Sequence, residues 1–396
     1  MPLAHSEHKN PSQGLELSVF CLVAATFTTI YITQPVLPVV QAEFQVSEAV
    51  ASLTISMVIL GIALANLPFG RLADYLPIRP IILAGGLMVT ACGLFCALTQ
   101  NFSLLIGARF VQGLFLPALT TCLAAFLGRT LPPHRLSVVM GWYVSATVAG
   151  GLSGRLLGGW IHPPLHWRYA FLTASLLVLS ATLVALKWLP KESIQKKDSG
   201  SPKDFSFLQL LSRGDFLRIL FVGFGSFFVF SSVFNYMPFY LAGPPFEAST
   251  QTITLIYLAY IIGVIMGPLA GKVSNRYGNG RTMILGALTF GAALSLSLIP
   301  SMGAIVLSLS GICAGFFAVH STAVATLNLK LQSSRGRANS LYVLFYYLGG
   351  YIGITVSGIV YVHHGWMGVV ALGAAMLLIP LGTGFKEAAA AARLTK

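Results

Sequence analysis

The chain has 396 residues, of which 56% are hydrophobic and 9% charged, and a formal net charge of +13. A soluble domain carries about 25% charged residues, so the composition excludes a water-facing surface over most of the chain and requires one that faces lipid. The positive surplus alone does not choose between a nucleic-acid patch and a membrane-topology signal; its positions do.

A spanning helix needs roughly 20 apolar residues. Runs of that length predict twelve spans, at 16–40, 50–73, 79–98, 102–127, 135–160, 167–190, 216–241, 250–273, 281–300, 302–328, 335–361 and 365–386. Residues 1–15 read as a polar N-terminal tail without a cleavage signal. Residues 191–215 are the one long polar stretch, a linker between a bundle of six helices (16–190) and a second bundle of six (216–386), and 387–396 are a closing tail. Lys and Arg collect in alternate loops: Arg71 and Arg79, then Arg129 and Arg135, then Lys191, Lys196, Lys197, Lys203 and Arg213, then Lys272, Arg276 and Arg281, then Lys330, Arg335 and Arg337. The opposite loops hold only Arg168. By the positive-inside rule both termini and the linker are cytoplasmic, and the basic charge is a topology signal rather than a nucleic-acid footprint. The five cysteines all fall inside predicted spans and read as small apolar residues, with no disulfide or metal signal.

The two halves resemble each other at a nearly constant offset. Pro38 answers to Pro238, Gly113 to Gly315, GRLADYLPIR (70–79) to GKVSNRYGNGR (271–281), VAGGLSGRLLGGWI (148–161) to YLGGYIGITVSGIV (347–360), and Trp167 to Trp366, all at offsets between 199 and 202. Five matches in order at one offset point to duplication. Two similar bundles rocking about a shared central site are one route to alternating access.

Four segments carry a family resemblance. Gly70, Asp74 and Arg79 fit a loop pattern between the second and third spans, repeated in the second half by Gly271 and Arg276 with Asn275 in place of the acid. A carboxylate at a helix end among cations can latch two halves in one state and release them in another; ordinary charge anchoring is the other reading. LLIGARFVQG carries Arg109, Gln112 and Gly113 in the fourth span. The fifth span has glycines at 141, 150, 154, 158 and 159, with Arg155 where the pattern has proline. Gly150, Gly154 and Gly158 form a stripe that allows close helix packing. HWRYAF (166–171) opens the sixth span, where Trp167 and Arg168 suit a membrane-interface anchor. On these motifs the chain resembles the major facilitator superfamily over nearly its whole length, and in YITQPVLPVVQAEF, SGRLLGGW and GFFAVHS it is similar to the YnfM-like, arabinose-efflux-type permeases, relatives of drug:proton antiporters. The resemblance implies an all-α membrane protein of twelve transmembrane helices in two pseudo-symmetric six-helix bundles, a monomer in a bacterial inner membrane, and a cavity lined by the first, fourth, seventh and tenth spans.

No GxxxxGK[ST] loop is present, and no cluster of titratable or metal-binding residues in the spans suggests an enzyme, a cofactor or a metal. No carboxylate lies in mid-membrane; Gln34 stands where antiporters of this kind carry an acid in the first span. His320, with an ordinary pKa of about 6.5, is the remaining candidate proton carrier. An intramembrane arginine faces the bundle interior and a partner; Arg109 reads either as a substrate contact, with Gln112 on the same face, or as a structural residue held by backbone carbonyls. Arg155 reads either as an outer-end residue reaching the surface or as a second cation on the pathway. Gln34 and Asn235, with Tyr31, Tyr236 and Phe317 as aromatic walls, complete the candidate site. The expected function is secondary active transport of a small anionic or zwitterionic solute by proton-coupled export. The alternatives are uptake or facilitated exchange of an organic anion, a lipid flippase, and a non-transporting receptor.

Overall fold

In a computed structural model of the chain, residues 11–191, 206–331 and 335–394 are described, and all their regular structure is helical. The first bundle contains α1 (Pro11–Ile30, carried on by a 3-10 turn Gln34–Val36 and a helix Leu37–Phe44), α2 (Leu53–Tyr75), α3 (Ile78–Leu98), α4 (Phe102–Leu119, carried on as Thr121–Thr130), α5 (Pro133–Ile161) and α6 (Arg168–Trp188). The second contains α7 (Gly214–Ala242), α8 (Thr250–Ile256, a 3-10 turn Tyr257–Tyr260, then Ile261–Tyr277), α9 (Asn279–Leu296) and α10 (Met302–Leu329). Gly365, at φ 59, breaks the stretch Arg335–Met376 into α11 (335–364) and the start of α12, which continues through Leu378–Leu394.

Among the described residues nine stretches are long and apolar enough to cross a membrane, one of them the 58-residue run Gly336–Arg393 that holds both α11 and α12. The two long helices outside that set are α5, which carries Arg135 and Arg155, and α9, which is 18 residues long and opens on Asn279 and Arg281. The chain is an integral membrane protein. Residues 387–394, expected as a tail, continue α12, because the run Ala388–Ala392 has the highest helix propensity available. Residues 1–10, 192–205 and 395–396, which carry most of the expected N-terminal tail, most of the linker and the last of the C-terminal tail, lie outside the described residues.

The duplication is visible in packing. In the first half α5 lies on α1, and a Cβ added at Gly150, Gly154 or Gly158 would run into the carbonyl oxygens of Ala24, Thr28 and Ile32. In the second half α11 lies on α7 in the same way, with Gly349 and Gly353 against the carbonyls of Phe224 and Phe228. The halves differ where α1 has two prolines. Pro35 and Pro38 cannot donate to the preceding turn, and α1 breaks after Ile30; α7 has only Pro238 and stays continuous.

The bundles meet at the end away from the linker. Asn235 on α7 donates to the Ser52 hydroxyl at 2.7 Å, Gly358 on α11 packs against Ala49, and Gly159 on α5 packs against Thr254 on α8.

Candidate functional site

A cavity between the bundles has a volume of about 420 Å³. Its walls come from α1 (Phe27, Tyr31), α5 (Gly141 to Arg155), α7 (Phe227, Phe230), α8 (Tyr260 to Pro268), α10 (Phe316, Phe317, His320, Ser321) and α11 (Tyr346). This corrects the expected lining: α1, α7 and α10 contribute, α4 does not, and α5 and α8 form the longest walls. A volume in this range suits an organic molecule of modest size.

Arg155 stands at the closed end. It is 1% exposed, which rules out the outer-surface placement, since its guanidinium points inward. Nε donates to Gln34 Oε1 at 2.7 Å, one Nη to the Gly151 carbonyl at 2.7 Å, and the other Nη to the Tyr260 hydroxyl at 3.1 Å. The rings of Tyr31, Tyr260 and Tyr257 surround it, with centroids 4.0, 4.2 and 5.5 Å from Cζ. Local backbone geometry builds this box. Gln34 opens the 3-10 turn after the α1 break, and Tyr257 and Tyr260 are the ends of the 3-10 turn in α8. A 3-10 turn eclipses residues i and i+3, so both tyrosines face the same cation. Three of five N–H groups are spent, and each Nη keeps one hydrogen without an acceptor among the described residues. No carboxylate pairs with this guanidinium among the described residues. Ring faces and neutral oxygens stabilise the cation, leaving the site short of one negative charge.

Arg109 and Gln112 are fully buried but sit outside the cavity. Arg109 donates to the carbonyls of Thr29 (2.9 Å), Ile30 (2.7 Å) and Thr54 (2.8 Å) and to Gln112 Oε1 at 2.5 Å. Thr29 and Ile30 are the last residues of α1, whose carbonyls lose their helical donors at the break. Arg109 therefore splices the broken helix to the start of α2, and of its two readings the geometry favours the structural one. Gln112 completes the splice by donating to the Val89 carbonyl on α3.

His320 lines the cavity on α10. Its Nδ1 is 3.0 Å from the Tyr342 hydroxyl, and its ring stacks on Phe316 at 5.8 Å and 15°. Asn235 and Tyr236, expected in the site, lie elsewhere because the face of α7 that carries them packs on Ser52, just ahead of α2, and on α11. Asn235 forms the Ser52 bond, and the Tyr236 hydroxyl donates to the Ile354 carbonyl at 2.8 Å. Trp167 is not an interface anchor: it is 1% exposed, and its indole N–H donates to Glu43 at 2.5 Å, with Arg168 on the other carboxylate oxygen. Loop and helix end are thereby tied inside the first bundle.

The loop residues lie at the linker end. Asp74 pairs with Arg129 at 3.5 Å, Arg79 donates to the Leu189 carbonyl at 3.2 Å, and Arg276 lies over the Tyr277 ring at 5.2 Å. Asn275 is exposed at the end of α8, and Gly70 and Gly271 have room for a side chain. Each of these contacts stays within one half. Tyr257, Tyr260 and Tyr346 were missed in the sequence; the Tyr257–Tyr260 spacing of three was the available signal.

The architecture is that of a two-bundle membrane carrier with a central cavity. The sequence model of the Major Facilitator Superfamily matches residues 19–271 and 243–385, and the chain belongs to that family. It is 32% identical over 370 residues to the inner membrane transport protein YnfM of Escherichia coli (strain K12), covering 93% of this chain and 89% of that one. It is 27% identical over 361 residues to YybF, an uncharacterized MFS-type transporter of Bacillus subtilis (strain 168), covering 90% and 89%. Among solved structures it is similar in fold to a bacterial homolog of the human lysosomal transporter Spinster in an inward-facing, unoccupied conformation (TM-score 0.72, 15% identity, 95% of each chain). It is also similar to the nucleoside transporter NupG (TM-score 0.75, 13% identity, 95% of this chain and 99% of that one).

Proposed function

We propose that this transporter is a secondary active carrier of an anionic or zwitterionic organic solute, moved outward by alternating access in exchange for protons. One observation carries the reading: a buried guanidinium that, among the described residues, has two uncommitted N–H groups and no carboxylate partner closes the end of a largely aromatic cavity. A carboxylate or phosphate would supply the missing charge and accept both hydrogens in a bidentate pair. Gln34 and Tyr260 hold the fork in place, and Phe230, Phe316 and Phe317 give the solute its apolar walls.

His320 is the proton carrier in this reading. It lies on the cavity wall, tied at Nδ1 to Tyr342 and with no protein partner for Nε2 among the described residues. Its surroundings on α10 and α11 are Phe316, Tyr342 and Tyr346, without a carboxylate to hold the charged form. The alternation of basic loops supports a topology with both termini cytoplasmic. With the bundles joined at the far end by Asn235–Ser52 and Gly358–Ala49, the cavity then faces the cytoplasm. The Asp74 and Arg276 loops are the parts of a latch that would engage when that face closes.

The test uses purified protein in liposomes that enclose a pH-sensitive dye, challenged with organic acids, zwitterions and lipophilic cations. Acid-evoked proton movement that His320→Ala abolishes and Arg155→Gln weakens supports the reading. Acid flux with no proton movement, unchanged in His320→Ala, removes the coupling and leaves facilitated exchange. Transport of cations alone overturns the substrate class.

A further inference from the structure

We propose that the substrate reaches Arg155 sideways from the membrane, through a crevice between α5 and α8, and that it is a single-chain amphiphilic anion. The inference rests on Arg155 as the receptor of the acid group and adds the hydrocarbon body and the route.

The two seams between the bundles differ. Along α2 and α11 the bundles stay together: Ala49 packs on Gly358, and Ile59 lies 3.5 Å from where a Cβ on Gly350 would stand. Helices α5 and α8 meet most closely near their far ends, at Gly159 against Thr254 and at Arg155 against Tyr260. Toward the linker end they part, and a Cβ added at Gly141 on α5 or Gly267 on α8 would have no neighbour within 4 Å. From Arg155 back to Gly141 the helix rises roughly 21 Å at 1.5 Å per residue, a length that suits an extended chain better than a compact solute.

The rim faces lipid. Val144 and Val264 line the cavity and are 56% and 45% exposed, and their neighbours Trp142 and Ile265 are 62% and 63% exposed. In a membrane span such side chains meet acyl chains. Between rim and cation the α5 and α8 wall carries Val148, Gly151, Gly263 and the Phe317 ring that covers Gly263, with Ser145 and Thr147 as its polar side chains near the rim. Among the described residues Arg155 is the one permanent charge on the lining. The sequence of environments, lipid at one end and an uncompensated cation at the other, matches an acid group on a hydrocarbon chain.

Two probes, radiolabelled dodecanoate and butanoate, would be bound to the protein in phosphatidylcholine nanodiscs, with empty nanodiscs subtracted. Wild type is expected to hold dodecanoate at least tenfold more tightly than butanoate. Gly141→Leu and Gly267→Leu, which enter open space, should weaken dodecanoate at least tenfold and leave butanoate unchanged. Arg155→Gln should weaken both. Equal binding of the two acids, or dodecanoate binding indifferent to both rim variants, overturns the route and the hydrocarbon body while leaving Arg155 as acid receptor. Binding of both acids that Arg155→Gln does not affect overturns the acid receptor itself, and with it this inference; so does a wild type that binds neither.

Discussion

Arg109 and Arg155 sit in successive helices of one bundle, are each at most 1% exposed, and have no carboxylate partner among the described residues. They solve the cost of a buried cation in opposite ways. Arg109 spends four N–H groups on three carbonyls and Gln112 and stands outside the cavity. Arg155 spends three, is wrapped in tyrosine rings, and lines the cavity. The difference teaches that an intramembrane cation is free to take a solute where its unspent donors face a cavity. A cation that spends most of its donors on carbonyls at a helix break is part of the backbone's own hydrogen bonding.

The strongest way to break that contrast is Arg109→Leu. It would orphan the carbonyls of Thr29 and Ile30 in an apolar interior, where each unpaired group costs about 1–3 kcal/mol, and take a second donor from the Thr54 carbonyl. A loss of about 3–5 kcal/mol is expected, seen as a steep fall in the thermal midpoint in detergent and little folded protein. Next is Gly154→Leu, which drives a side chain into the Thr28 carbonyl. A loss of about 1–3 kcal/mol is expected by overpacking, whereas Gly141→Leu on the same helix should leave the midpoint unchanged. Smaller again is Arg155→Lys, which keeps the charge but loses the planar fork. Acid binding should weaken about tenfold with the midpoint nearly preserved, because a point charge makes one contact where the fork makes two. The smallest effect belongs to Asp74→Asn: its pair with Arg129 is 3.5 Å long and 58% exposed on the Asp side. Surface pairs contribute about 0–1 kcal/mol, so neither midpoint nor binding should move, and a change confined to transport rate would mark the latch.

Much of the fold was legible in the sequence because lipid imposes simple demands on composition. Apolar runs marked the spans, and the offset between Pro38 and Pro238 or Trp167 and Trp366 marked the duplication. The glycine stripe of α5 was legible because close helix contact selects small residues. The site was legible only in part. Tyr31, Gln34, His320 and Arg155 were named, but Arg155 was weighed against an outer-surface placement, because depth along a helix does not reveal which way a long side chain bends. Asn235 and Tyr236 were placed on the wrong face of α7, since both faces of that helix are apolar and buried. The tyrosines of α8 escaped notice because a lipid-facing and a cavity-facing aromatic look alike in sequence. Only the 3-10 geometry of Tyr257–Tyr260 separates them. The role of Arg109 depended on the α1 break, whose signal was the pair Pro35 and Pro38.

The most direct test of the central claim compares an organic acid with its methyl ester on the purified protein, reading ligand-induced stabilisation for wild type and Arg155→Gln. The two ligands share shape and apolar body and differ in the one charge that Arg155 lacks. The acid should stabilise wild type well above the ester, and Arg155→Gln should erase that preference by about 30–100-fold in affinity, the worth of hydrogen bonds to a charged group. An acid preference that survives Arg155→Gln would contradict the account and return the search for the anion receptor to the rest of the cavity.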